Sequence, residues 1–137
     1  MEIHPYLSFK GDCEAAFSFY GRCFGGTIGA IIHYAGSPMS AQVPPDWQDK
    51  VMHGSVTVGA LELMGGDVAP AQYEASKGFA LTIATKSTSE AERIFRELAE
   101  GGRVTVPLDR TFWAARFGMV VDRFGIPWMV NCEGNQE

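Results

Sequence analysis

The stretch Glu14-Ala15-Ala16-Phe17-Ser18-Phe19-Tyr20-Gly21-Arg22-Cys23-Phe24-Gly25-Gly26 decides the fold, because its marks return as Glu90-Ala91, Phe95 and Gly101-Gly102. Each copy follows a short strand-like apolar run and precedes another. A period this long in a chain of 137 residues means two copies of one supersecondary unit. Two similar sheets can enclose a cavity between them, which points to a small-molecule site.

Working outward from the first copy, Tyr6 to Phe9 alternates polar and apolar and predicts a strand. Leu7 and Phe9 would face one side of it, and His4, Tyr6 and Ser8 the other. Asp12 is placed to cap a helix whose apolar stripe is Cys13, Ala16, Phe17, Tyr20 and Phe24. Gly25-Gly26 ends it, since glycine tolerates the left-handed conformation. Thr27 to Tyr34 reads as a strand, and residues 36–50, with Pro38, Pro44 and Pro45, as a loop over the surface or over a pocket mouth. Val51 to Val58 and Ala60 to Met64 read as a hairpin turning at Gly59.

The second copy repeats this order. Strands are predicted at Phe79 to Ala84, Arg103 to Val106, Trp113 to Val121 and Ile126 to Cys132. Ser87 and Glu90 read as a capping box opening a helix with Ala91, Ile94, Phe95 and Leu98 on its buried stripe. Pro107 to Phe112 is a loop, Gly125 supplies a positive φ in the turn from Asp122, and the polar tail from Glu133 is expected to fray. The chain is therefore a single domain over 1–137, with module one at 1–66, a linker at 67–77 and module two at 78–132. Each module reads strand, helix, strand, strand, strand.

Composition narrows the function classes. The formal charge of -5, with no basic block, argues against nucleic-acid binding. No apolar run is long enough to span a membrane, and Met1-Glu2-Ile3-His4 does not resemble a signal peptide, so a cytoplasmic protein is expected. Cys13, Cys23 and Cys132 form no CxxC pair and read as small apolar packers.

The chain resembles the vicinal-oxygen-chelate superfamily of glyoxalase I, bleomycin-resistance proteins and extradiol dioxygenases, and within it the PhnB-like branch. The residues that carry this are Tyr6-Leu7-Ser8-Phe9, Phe19-Tyr20 with Phe24-Gly25-Gly26, Val51-Met52-His53 and Glu100-Gly101-Gly102. The most specific are Trp113, Arg116-Phe117-Gly118 and the run from Asp122 through Gly125-Ile126-Pro127-Trp128-Met129-Val130 to Asn131. The resemblance implies an α+β fold of tandem βαβββ modules forming curled mixed sheets, commonly in a homodimer. Some PhnB-like proteins carry a methyltransferase-like domain name; no glycine-rich cofactor loop of that kind is visible here.

Metal-dependent members of the superfamily draw one ligand from the first and last strand of each module, around an ion that keeps open positions for substrate oxygens. At those places this chain offers His4; Glu62 or Leu63, depending on register; Ala80 and Thr82, or Phe79 after a slip; and Trp128 or Met129. His4 and Glu62 are thus the metal-ligand candidates, with His53 a possible third. Two ligands do not make a tight first-row site, so no metal or other cofactor is expected.

The first expectation for function is a PhnB-like small-molecule-binding protein. Its small organic or anionic ligand would lie between the sheets, contacted by Tyr6, His53, Glu62, Trp113, Arg116 and Trp128. Trp113 and Trp128 could stack on a planar ligand or fill the core; Arg116 could clasp an anion or pair with Asp122 or Glu62. Ser8 and Asn131 are further polar candidates. The first alternative is a metal-dependent or proton-transfer enzyme of lyase, isomerase or dioxygenase type, in which His53 or Glu62 moves a proton beside an electrophile, either a metal or Arg116. The second is a structural or interaction dimer whose centre is filled by Trp113, Trp128, Met64 and Met129.

Overall fold

The computed structural model of the protein describes residues 1–134. The end of the polar tail expected to fray, residues 135–137, lies outside the described residues. The chain divides into two compact units, Met1–Glu74 and the part from Ala75 onward.

The first unit contains β1 (Tyr6–Phe9), α1 (Cys13–Phe24), β2 (Thr27–His33), β3 (Val51–Val58) and β4 (Leu61–Asp67). Its sheet has the order β1-β4-β3-β2, with β1 parallel to β4 and the other pairs antiparallel. The second unit contains β5 (Leu81–Thr85), α2 (Thr88–Ala99), β6 (Arg103–Asp109), β7 (Arg116–Val121) and β8 (Pro127–Cys132). Its order is β5-β8-β7-β6, with β5 parallel to β8. The repeat read from the sequence is thus a repeat of topology, and the fold is α+β with two mixed sheets.

In each unit the helix covers one face of the sheet. Leu7, Phe9, Val56 and Leu63 turn toward α1 and are almost wholly buried, as are Ala16, Phe17 and Tyr20 on the helix. Burying each of the larger of these side chains contributes about 1.5–3 kcal/mol. The ring of Phe17 meets Phe9 edge to face, with centroids 5.7 Å apart, and lies directly over Gly65. A Cβ at Gly65 would stand 2.9 Å from Phe17 Cζ and 2.5 Å from the Leu7 carbonyl oxygen, so close packing of helix on sheet requires glycine there. In the second unit Ala91, Ile94, Phe95 and Leu98 pack over Val120, Trp128, Val130 and Cys132, and Gly118 makes room for Phe95.

The helix ends differ in part from expectation. Asp12 occupies the N-cap position of α1 but makes no capping hydrogen bond. Asp67, at the end of β4, supplies the acceptor instead: its Oδ1 receives the backbone N–H groups of Gly11 and Cys13, both at 3.0 Å. The Ser87 hydroxyl accepts from Glu90 N at 3.2 Å, but the Glu90 carboxylate accepts from Thr85 Oγ1, so the box closes on one side only. Gly25, with φ of 69°, ends α1 as expected, and Gly125 has φ of 91°.

Several strands also shift. β4 runs past Met64 to Asp67, because Gly65 and Gly66 continue the ladder rather than break it. β6 continues through Pro107 to Asp109 by way of register shifts, as proline allows at an edge strand. β7 starts at Arg116, and Trp113 sits in the preceding turn. Within 36–50, two short 3-10 turns occur at Ser40–Gln42 and Pro45–Trp47, and Trp47 is buried. No helix among the described residues is long and apolar enough to cross a membrane.

Candidate functional site

Register sorts the expected site residues. In the first sheet Tyr6 pairs with Met64, Ser55 with Met64, and Thr57 with Glu62. Side chains opposite one another share a face. Leu63 and Gly65 face α1, so Glu62, Met64 and Gly66 face away from it, as do Tyr6, Ser8, His53, Ser55 and Thr57. The register question between Glu62 and Leu63 is thereby resolved: Glu62 lies on the distal face and Leu63 in the core. Ile32, paired with His53, joins the same face, while His33 turns to the helix side and meets Glu14 of α1 at 3.0 Å.

On this distal face Tyr6 stacks on His53, with ring centroids 6.2 Å apart and planes inclined by 29°. Burial is the chief reason that the Tyr6 phenol is pushed above its ordinary value of 10.0, so it keeps its proton at neutral pH and can donate a hydrogen bond. His4 stands at the other end of this face, beside Glu62, four residues along β4 from the Gly66 over which the Tyr6 hydroxyl lies. Its Nδ1 lies 3.2 Å from the Glu62 carbonyl oxygen and 3.9 Å from Glu62 Oε1, and its Nε2 lies 2.9 Å from Glu2 Oε1. Both ring nitrogens therefore face acceptors, as suits a protonated imidazole. The bond to Glu2 is the main cause that raises the His4 pKa above 6.5.

That arrangement does not fit a metal. A metal-bound imidazole presents a bare nitrogen to the ion, whereas each nitrogen of His4 already faces an oxygen of Glu62 or Glu2. In the second unit the register puts Thr82 and Met129 on the distal face, a hydroxyl and a thioether that touch one another at 3.8 Å. Among the described residues, no group of three or more His, Cys, Asp or Glu side chains is placed to hold an ion.

Two expected ligand contacts lie elsewhere. Trp128 faces α2, is only 4% exposed, and donates through Nε1 to Asp122 Oδ2 at 2.8 Å. The same carboxylate accepts from Phe124 N and Ile126 N through Oδ1, so Trp128 and Asp122 together anchor the β7–β8 hairpin. Arg116 pairs in register with Cys132 on the α2 side and meets Glu92 of α2 at 3.5 Å, not Asp122 or Glu62. Trp113 stands half exposed in a turn and packs edge-on against Phe117, at 5.3 Å, on the distal face of the second sheet. Phe117, Met119, Met129 and Asn131 share that face.

The three cysteines are all buried thiols. Burial, reinforced by the Asp67 carboxylate, pushes the Cys13 thiol far up, so it stays protonated, and Cys23 and Cys132 are buried as well. Two residues escaped the sequence reading. Asp67 was expected in the linker, yet its Oδ2 also accepts from Val51 N at 2.9 Å, so it ties together three segments. Gly66 was passed over because it lies beyond the strand expected to end at Met64. Its only sequence signal is that a glycine interrupts the alternation after Glu62 and Met64.

Comparison with known proteins agrees with this architecture. The family model described as 3-demethylubiquinone-9 3-methyltransferase matches residues 1–131. Protein YjdN of Escherichia coli is 34% identical over 139 residues, covering 96% of this chain and 95% of that protein. The crystal structure of protein PA1353 from Pseudomonas aeruginosa is 49% identical with a TM-score of 0.89, covering 98% of this chain and 99% of that one. A PhnB protein from Bacillus cereus, described as a 3-demethylubiquinone-9 3-methyltransferase, shares the fold at 24% identity and a TM-score of 0.84, over 96% of this chain and 99% of that one. At 11% identity, a glyoxylase/bleomycin resistance protein/dioxygenase domain from Frankia shares it with a TM-score of 0.67, over 97% of each chain. The chain belongs to the PhnB-like family, the one described by the 3-demethylubiquinone-9 3-methyltransferase model, and has the fold of the glyoxalase/bleomycin-resistance/dioxygenase superfamily.

Proposed function

We propose that the protein binds a small organic molecule on the distal face of its first sheet, through Tyr6, His53 and Glu62. The observation that carries this reading is the stacked Tyr6–His53 pair, two amphipathic rings on a face that also offers Ser8 and Thr57. A few polar groups among apolar ones is the usual make-up of a ligand site. The ligand is an uncharged molecule with hydroxyl or carbonyl groups rather than an anion. Glu62 puts a carboxylate on this face, and Arg116, the cation expected to hold an anion, is engaged by Glu92.

The test is a thermal-shift screen of small uncharged and anionic compounds. Uncharged hits should stabilise the parent protein and the Arg116→Ala variant alike, and lose most of their effect in Tyr6→Leu and His53→Ala. Hits that persist in both of those variants would contradict the reading. Elemental analysis of protein purified without chelator should find substoichiometric divalent metal. One ion per chain would return His4 and Glu62 to the role of ligands.

A second reading rests on Glu62 and His53 sharing this face. In it one of them moves a proton of the bound molecule, and Glu62→Gln would abolish turnover while sparing binding. We place the protein in the cytoplasm and expect a homodimer in solution. Apolar side chains left exposed on the edge strands, Ile28 and Ile32 on β2 and Val104 and Val106 on β6, support the dimer, and sedimentation velocity would test it.

A further inference from the structure

We propose that Gly66 is a positioning residue of this site, and that its missing Cβ lets Tyr6 lie across β4 against His53. The inference rests on the reading of Tyr6 and His53 as ligand contacts, but it can fail separately. Tyr6 stands on β1 at the edge of the sheet and His53 on β3, with β4 between them. A side chain on the intervening strand would ordinarily separate them. Met64, directly beside Tyr6, has a side chain; Gly66, the next β4 residue on that face, does not.

A Cβ at Gly66 would stand 2.8 Å from the Tyr6 hydroxyl oxygen and 2.6 Å from the Met52 carbonyl oxygen. Carbon atoms are not accommodated at such distances. The Tyr6 phenol therefore occupies the space above Gly66, and its ring reaches the imidazole two strands away. Gly66 has no positive φ, so its glycine is not explained by backbone conformation. Gly29 of β2 serves in the same way, since a Cβ there would collide with Ser55 Oγ. No glycine lies on the corresponding face of the second sheet: Gly118 faces α2 and meets Phe95.

The test uses the ligand-free protein and its three histidines. The ring-proton signals of His4, His33 and His53 are followed by NMR in the parent and in Tyr6→Leu, Gly66→Ala and the double variant. Tyr6→Leu should remove the ring-current shift of the His53 signal and leave His33 in place. Gly66→Ala should shift the His53 signal in the same direction, by displacing the Tyr6 ring. A folded Gly66→Ala protein with an unmoved His53 signal would overturn the proposal. If Gly66→Ala alone does not fold, recovery of the fold in Tyr6→Leu/Gly66→Ala supports it. Failure of that double variant too would place the decisive collision at Met52 and overturn it. A positive result here together with a failed compound screen would leave the positioning intact and remove the binding reading.

Discussion

Strand β4 of the first unit and strand β8 of the second occupy the same place, beside the parallel edge strand, yet they carry different chemistry on the face away from the helix. β4 presents Glu62, Met64 and Gly66 beside Tyr6 and His53. β8 presents Met129 and Asn131 beside Phe117 and Met119. Toward the helices the two strands are alike, with Leu63 and Gly65 in one and Trp128 and Val130 in the other packed into a core. The shared helix side is what the fold needs. The unshared distal side is free to differ, and there the first unit collects hydrogen-bonding groups while the second remains largely apolar.

The buried carboxylates sharpen the comparison most. Asp67 joins the β1–α1 loop and the start of β3 to the end of β4, whereas Asp122 holds its own turn and Trp128. Asp67→Ala strips three buried or part-buried N–H groups drawn from two distant segments. A stability loss of about 3 kcal/mol or more is expected in urea unfolding, since each orphaned donor costs about 1–3 kcal/mol. Asp122→Ala should cost less, because the groups it strips lie within six residues and the turn can relax. The reverse order would break the claim that Asp67 is the long-range tie.

Gly65→Ala comes next. The added methyl meets Phe17 and the Leu7 carbonyl, and overpacking of this kind costs about 1–3 kcal/mol. The same loss should accompany Gly118→Ala in the second unit, where Phe95 and the Leu108 backbone stand in the way. A neutral result at either position would show that the two helix sides are packed differently.

Arg116→Ala should change stability by less than about 1 kcal/mol, because the Arg116–Glu92 pair is partly exposed and screened by water. A large loss, or a loss of ligand binding, would mean that Arg116 serves the distal face after all. The smallest effect concerns His4. Its raised pKa means that its contribution to stability is present below the unfolded value and fades as pH rises through the folded one. Glu2→Gln should lower the His4 midpoint toward 6.5 in an NMR titration, and an unchanged midpoint would show that the Glu2 bond is not its cause.

Much of the fold was legible in the sequence because its signals were periodic. The paired helix stripes, the glycine stops and the alternation of Tyr6-Leu7-Ser8-Phe9 all translate directly into faces. The site was less legible where alternation carries no contrast. Trp128 and Met129 are both apolar, so periodicity could not say which faced α2; the bond from Trp128 to Asp122 decides it. Gly65 and Gly66 have no side chains to alternate, so the sequence suggested that β4 had ended. The partner of Arg116 was hidden because Glu92 lies on a helix and comes within reach only once α2 packs on its sheet. Asp67 was hidden likewise, since its three donors are distant in sequence.

The claim that the distal face of the first sheet is the ligand face has a control within that sheet, because His53 and His33 stand on opposite sides of it. The most direct test is the NMR spectrum of the histidine ring protons as the strongest uncharged compound from the screen is added to saturation. The account predicts that the His53 signal moves and the His33 signal does not. Movement of His33 with His53 fixed, or stabilisation of the protein with neither moving, would contradict it.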